Sequence, residues 1–349
     1  MLKRPFLLAL ALSTVGVSCF ASASHVQDGP YHIIQRAKVG GDGGFDYVYA
    51  DSAGRKLYVA RTGQSSRIDV YSLDTLQQVG TIDKVRAHGA MVDPKTHKGF
   101  SSSKPMAVWD SKTLAPLKTI DVNGNPDGLL GDPSKEAIYI LSHAEPNVTV
   151  INAKDGSVGG TINIGGAPEQ AAVDGKGTLY IDIEDTGEVA VVDTNTYKLV
   201  TKYALGSKGG GNAGLALDVK NHVLFVACRE PAVMVMLDSK TGKYLADLPI
   251  GAGCDGAAFN PKTHECFSSQ GDGTLTIIKE TSPTTFVIEQ TLKTLPGAKT
   301  LALDSKTGKI YLIAAEYGAP PAGGTQPANG RPRRGPMVSG SFSIIEVGK

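Results

Sequence analysis

The chain predicts an all-β fold, a seven-bladed β-propeller of four-stranded blades, and three observations carry that expectation. A turn signal recurs at Asp51, Asp93, Asp132, Asp174, Asp218, Asn260 and Asp304, at spacings of 42, 39, 42, 44, 42 and 44 residues. A second anchor, the end of a β-branched run, recurs in phase with the first. It reads Val70-Tyr71-Ser72, Val108-Trp109-Asp110, Val150-Ile151-Asn152, Val191-Val192-Asp193, Met236-Leu237-Asp238, Ile277-Ile278-Lys279 and Ile344-Ile345-Glu346. Between successive anchors lie four short apolar runs punctuated by Gly, Pro, Asn and Asp, which is the strand-and-hairpin signal. A period of about 40–45 residues with four strands per repeat is that of propeller blades, and no such unit buries its faces alone.

Residues 1–23 read as a signal peptide. Lys3 and Arg4 form a charged start, Phe6–Val17 is an apolar run too short to span a bilayer, and Ala21-Ser22-Ala23 fits small-residue cleavage. Gly16 is a poor match for lipid attachment at Cys19. An exported mature chain follows, periplasmic or secreted, in which no later run is long or apolar enough to be a membrane helix. Residues 24–349 form one propeller domain, expected to be a monomer. His32–Val39 is a lone strand before the first complete blade, whereas the last blade has only three strands of its own. The expected closure inserts His32–Val39 as that blade's outermost strand, which removes open edges. Residues 318–340, rich in Pro, Gly and Arg, break the repeat between the second and third strands of the last blade. Their composition is that of a flexible loop with no packed core, and it carries Arg331, Arg333 and Arg334 on the side of the channel mouth.

The repeat also sorts polar residues by face. His97, His222 and His264 fall in the turn after the first strand, where other blades carry Arg55 and Gly308. They read as solvent-facing turn residues and not as metal ligands. At the opposite face, five positions before each turn anchor, stand Asp46, His88, Asp127, Glu169, Ala213 beside Asn212, Asp255 and Lys299. These begin the innermost strands and are expected to ring the channel mouth. Loops after the second strands add Arg61, His143, Glu184 and Arg229, among others. The expected ligand-binding set is Asp46, Arg61, His88, Asp127, Glu169, Asn212, Arg229, Asp255 and Lys299. Four carboxylates, Asp46, Asp127, Glu169 and Asp255, converging with a histidine make an oxygen-rich set suited to one divalent ion, Ca2+, Mg2+ or Mn2+. The competing reading needs no cofactor, because channel mouths are wet and polar groups satisfy the strand ends there.

Mature Cys228, Cys254 and Cys266 permit a disulfide in an exported protein. Cys228–Cys254 is the candidate bridge, against three reduced, buried thiols; no CxxC or CxxCH is present. After loss of Lys3 and Arg4, 33 basic residues face 34 acidic ones. That balance gives no global electrostatic reason to expect nucleic acid or an anionic membrane as partner. Near the mouth only Tyr47 and a few arginines could stack or pair with single strands.

Ile162-Asn163-Ile164-Gly165-Gly166-Ala167-Pro168, Val122–Gly128 and Leu57-Tyr58-Val59-Ala60 resemble the repeat of the YVTN-repeat, YncE-like family of exported seven-bladed propellers. The resemblance spans the mature chain and implies a binding or scaffold protein. It also implies partners as varied as nucleic acid, cell-surface layers and redox proteins, and related propellers include lactonases and a lyase with a channel metal. Its motifs are strand and turn positions, so no catalytic set carries over. Two expectations stand. One is a non-catalytic module docking a small molecule, glycan or envelope protein. The other is a metal-assisted hydrolase or lyase with His88 or His143 as general acid/base.

Overall fold

Every turn anchor is an acceptor side chain folded onto its own backbone. Asp51 Oδ1 accepts from Gly54 N, Asp132 Oδ1 from Ser134 N, Asp174 Oδ1 from Lys176 N, Asn260 Oδ1 from Lys262 N and Asp304 Oδ1 from Lys306 N, at 2.7–3.1 Å. Such Asx turns offer the chain an alternative to the ladder and so end the strand. Four residues after the anchor the backbone turns left-handed, at Arg55, His97, Glu136, His222, His264 and Gly308 (φ 51° to 79°). The period of the sequence is therefore a period of turn chemistry.

The computed structural model describes residues 28–41, 43–63, 66–320 and 335–349. Its strands form seven antiparallel four-stranded sheets. Six are consecutive meanders, whose inner strands are Gly44–Asp51, Ala90–Asp93, Pro126–Asp132, Pro168–Val173, Asn212–Asp218 and Cys254–Asn260. The seventh runs Leu301–Leu303, Ile310–Ala314, Ser343–Gly348 and then His32–Lys38. The expected closure by the N-terminal strand is thus present, with His32 opposite Gly348 and Lys38 opposite Ser343. Residues 1–23, with the signal-peptide expectation, and Arg331, Arg333 and Arg334 lie outside the described residues. The base of the loop that holds these arginines is zipped by Gly318 N to Pro336 O and Val338 N to Glu316 O. No helix among the described residues is long and apolar enough to cross a membrane.

The core is a set of seams. Seven apolar clusters each join neighbouring blades: blades 1 and 7 meet through Tyr71, Tyr311, Ile344 and Phe342, and blades 3 and 4 through Tyr139, Val150, Ile181 and Val192. Between blades 1 and 2 the buried Trp109 ring lies 5.9 Å from Tyr58. Gly99 makes room for it, since a Cβ there would stand 2.0 Å from the indole. Burial between sheets, at about 25 cal/mol per Å² of apolar surface, is what holds a ring of otherwise marginal blades together.

Candidate functional site: the channel mouth

A local irregularity aims the mouth residues. In blades 1, 3, 4, 5 and 6 the inner strand carries a β-bulge at its channel-mouth end, between Phe45 and Val48, Pro126 and Leu129, Pro168 and Ala171, Asn212 and Gly214, and Cys254 and Ala257. Asp46, Asp127, Glu169, Ala213 and Asp255 lie inside these bulges. One extra residue rotates the side chain off the sheet alternation and toward the axis. His88 and Lys299 occupy the same place just before the short inner strands of blades 2 and 7.

Blades 1 to 4 supply an arc of carboxylates and imidazoles. His88 Nδ1 lies 2.6 Å from Asp46 Oδ2 and 3.2 Å from Asp127 Oδ1. His143 Nε2 lies 3.6 Å from Asp127 Oδ2 and 3.4 Å from Glu169 Oε2. Asp127 is thus shared by both rings. The hydrogen bond to Asp46 raises the pKa of His88, with Asp127 adding to it. Glu169, with Asp127 and Glu184 behind it, raises that of His143 to about 9. Burial and the Asp46 charge push the Asp127 carboxyl upward in turn.

Blades 5 to 7 supply the complement. Arg229 donates Nη2 to Asp255 Oδ1 at 2.5 Å, Nη1 to Glu184 and Nε to Cys254 O at 3.0 Å. Lys299 pairs with the other Asp255 oxygen. Burial alone opposes the Arg229 charge, but Asp255 and Glu184 outweigh it and its pKa is raised.

The cup has a floor. Tyr47 reaches across the axis to give its hydroxyl to Asp127 Oδ2 at 3.1 Å and Glu169 O at 3.0 Å. Burial, then Glu169, Asp127, Asp255 and Asp46, push that phenol well above its ordinary pKa. Gln170 spans the other half, its Oε1 accepting from Leu215 N and Ala257 N at 3.1 and 3.2 Å. Behind them Asp182 is wholly buried, one oxygen taking Gln170 N, and burial lifts it to about 8. Gln170 carries no sequence signal beyond directly following a mouth position in the bulge, and Tyr47, which follows another, stands out in sequence only as an aromatic.

Three expectations need correction. Arg61 does not face the mouth. The second strand of blade 1 runs on to Thr62, so strand alternation turns Arg61 inward, 1% exposed. Its guanidinium there meets Asp69 at 3.3 Å and covers the Phe342 ring at 3.7 Å. Asn212 is likewise buried, donating to Glu188 O and accepting from Cys228 Sγ. The Cys228–Cys254 bridge is not formed: Cys228, Cys254 and Cys266 are free, buried thiols, and Cys228 Sγ is turned to Asn212 Oδ1 and Val226 O.

Asp46, His88 and Asp127, and again Asp127, His143 and Glu169, each bring three donor atoms within 4.8 Å of one another. A third such group lies on the opposite face, at Asp218, His264 and Glu280.

Fold and mouth together define a seven-bladed β-propeller scaffold with an ion-paired channel mouth. The chain is 24% identical to the uncharacterized protein YncE of Salmonella typhimurium over 318 aligned residues, covering 83% of this chain and 88% of that protein. It is 23% identical to YncE of Salmonella typhi over the same shares. No protein-family model matches the chain. The solved structure of U3-55K superposes with a TM-score of 0.71 at 12% identity, covering 90% of this chain and 98% of that one, a likeness of fold alone. The chain is a seven-bladed β-propeller similar in sequence to YncE over most of its length.

Proposed function

We propose that the protein is an exported, non-catalytic binding scaffold whose channel mouth docks a small molecule, a glycan or an envelope protein. The observation that carries this is the placement of each mouth imidazole between two carboxylates. A general base must offer a free lone pair at working pH. An imidazole raised to about 9, as His143 is, is instead a proton-carrying hydrogen-bond donor at neutral pH. The hydrogen bond to Asp46, with Asp127 adding to it, raises the pKa of His88 as well. The mouth is therefore a rigid pattern of donors and acceptors supported by Tyr47 and Gln170, suited to polar recognition. Its near-balanced charge favours polar or zwitterionic partners over nucleic acid. Export rests on the Lys3-Arg4, Phe6–Val17 and Ala21-Ser22-Ala23 pattern, and the chain acts as a monomer in this reading.

A second reading is favoured by one observation: the two donor triples that share Asp127. One Ca2+, Mg2+ or Mn2+ held there would supply Lewis-acid chemistry to a hydrolase or lyase. Asp46, Asp127 and Glu169 would be the ligands, whereas Asp255 belongs to neither triple and is held by Arg229 and Lys299.

The test compares wild type with the Asp127→Asn, Asp255→Asn double variant. Glycan arrays and envelope extracts should yield a ligand bound by wild type and at least ~10-fold more weakly by the variant, about 1.4 kcal/mol, with no effect of EDTA. Equal binding by both proteins removes the mouth from consideration. EDTA-sensitive hydrolysis of lactones or esters, lost in Asp127→Asn, establishes the second reading instead.

A further inference from the structure

On the face opposite the channel mouth, the seam between blades 5 and 6 differs from the ring-closing seam. In the ring-closing seam the anchor Asp304 of blade 7 meets Arg55, the left-handed turn residue of blade 1, at 2.6 Å. Arg55 also pairs with Asp74 at 2.7 Å, but Asp74 is exposed, so this seam buries one carboxylate against a full cation. The equivalent pair in the blade 5–6 seam is Asp218 and His264, with Nδ1 3.8 Å from Oδ2. A second carboxylate joins it. Glu280 stands directly after the third-strand anchor, where its backbone N–H bonds to the turn residue, His264 O, at 2.9 Å. Five other blades make the same backbone bond with Leu73, Ser111, Ala153, Thr194 and Ser239. None of these is charged, so only blade 6 places an acid there.

Asp218 and Glu280 are 2% and 4% exposed. Each has one satisfied oxygen: Asp218 Oδ1 accepts from Lys220 N, and Glu280 Oε1 from Asn221 Nδ2, both at 2.8 Å. The other two oxygens, Asp218 Oδ2 and Glu280 Oε2, are buried without a hydrogen bond. Asp218, Glu280 and His264 each bring one donor atom within 4.8 Å of the others. Two orphaned carboxylate oxygens facing each other in a buried site leave a strong demand for positive charge. The Phe259 ring, edge-on at 6.3 Å, sets the His264 imidazole beside them.

We propose that Asp218, Glu280 and His264 bind a divalent transition metal, with zinc as the best fit, and that the ion staples blades 5 and 6. One imidazole nitrogen and two carboxylate oxygens are a borderline donor set, which zinc prefers over calcium or magnesium. Zinc–ligand bonds of about 2.0–2.1 Å place tetrahedral donors about 3.3 Å apart, so the His264–Asp218 pair at 3.8 Å and the set as a whole, within 4.8 Å, must draw together on binding. A water completes the four positions through the half-exposed side of His264. The turn position of His264 alone gives no sign of a ligand, because Glu280 lies outside that turn and reaches it only in the fold. Without an ion, burial and the neighbouring Asp218 carboxylate push the Glu280 carboxyl up to about 7. This site is independent of the channel mouth.

Full-length mature protein, stripped with EDTA and dialysed, is titrated with Zn2+ by calorimetry and melted with and without the ion. The expected result is one equivalent bound and a rise of about 3–5 °C at a hundredfold excess over the dissociation constant. Binding persists in Asp127→Asn and is lost in both Glu280→Gln and His264→Asn. Gln matches the protonated acid and Asn tolerates the left-handed turn, so both variants keep the fold. Zinc bound by Glu280→Gln as by wild type, but lost in Asp127→Asn, moves the metal to the mouth and overturns the proposal. Absence of zinc binding by wild type also overturns it.

Discussion

His143 shows how one residue can report on the whole mouth. Its neighbours Glu169 and Asp127 favour the imidazolium in the folded state, so its folded pKa of about 9 exceeds the value of 6.5 expected unfolded. Linkage then fixes the sign. The stabilisation is fully present below about pH 6.5 and is lost as pH rises through about 9. His88 acts in the same direction through Asp46. Stability in EDTA should therefore fall between about pH 6.5 and 9, and His143→Gln should flatten part of that slope. The direct measurement is NMR titration of the imidazole carbons. Asp127→Asn, which removes a carboxylate 3.6 Å away, should lower the His143 midpoint. A midpoint near 6.5 in wild type would show that the carboxylates do not hold the proton.

At the scale of the element, the turn after each inner strand carries both the repeat and its strain. Six blades place a left-handed residue four positions past the anchor, and in five of these it is not glycine. A left-handed backbone costs a residue with a Cβ about 1–2 kcal/mol, against the extra unfolded freedom that glycine brings. His97→Gly should thus stabilise the protein by roughly 0.5–1 kcal/mol in urea unfolding, and a destabilised variant would mean that the imidazole makes a contact of value. These turns explain why the fold was legible: Asp, Asn, Gly and Pro recur wherever an Asx turn must form, and the blade length repeats them. Mouth positions were legible for the same reason, since a bulge at a fixed distance from the anchor aims Asp46, Asp127, Glu169 and Asp255 alike. Misjudged residues sit where a strand runs past its average end. The second strand of blade 1 extends to Thr62 and turns Arg61 inward. Blade 6 lengthens its third strand to Ser282, which carries Glu280 beyond the anchor and beside His264, a contact that only tertiary structure creates.

A propeller stands or falls as a ring, because each sheet buries its faces only against two neighbours. The closing strand His32–Lys38 contributes few buried side chains of its own. It contributes a ladder of pairs with Ser343–Gly348 instead, and it covers an edge that would otherwise pair with another molecule. Tyr31, just before it, is the anchor. Its ring packs edge-on against Phe267 at 5.3 Å, its backbone exchanges two 2.8 Å bonds with Gln290, and its hydroxyl bonds to Glu265. The C-terminal Lys349 binds the same Glu265 at 2.6 Å, so both ends of the described chain are tied to blade 6. Tyr31→Ala removes a nearly buried aromatic and should cost about 3 kcal/mol. Deleting residues 28–38 should cost more and expose the edge of Ser343–Gly348, seen as a lower melting temperature together with concentration-dependent association on size exclusion. Hydrogen exchange separates this from a merely local effect: amides of His32–Lys38 should be protected as strongly as those of Ser343–Gly348, since opening the closing strand opens the ring. Rapid exchange confined to His32–Lys38, in a chain that otherwise melts unchanged, would show that six complete blades and a three-stranded seventh hold the ring without it.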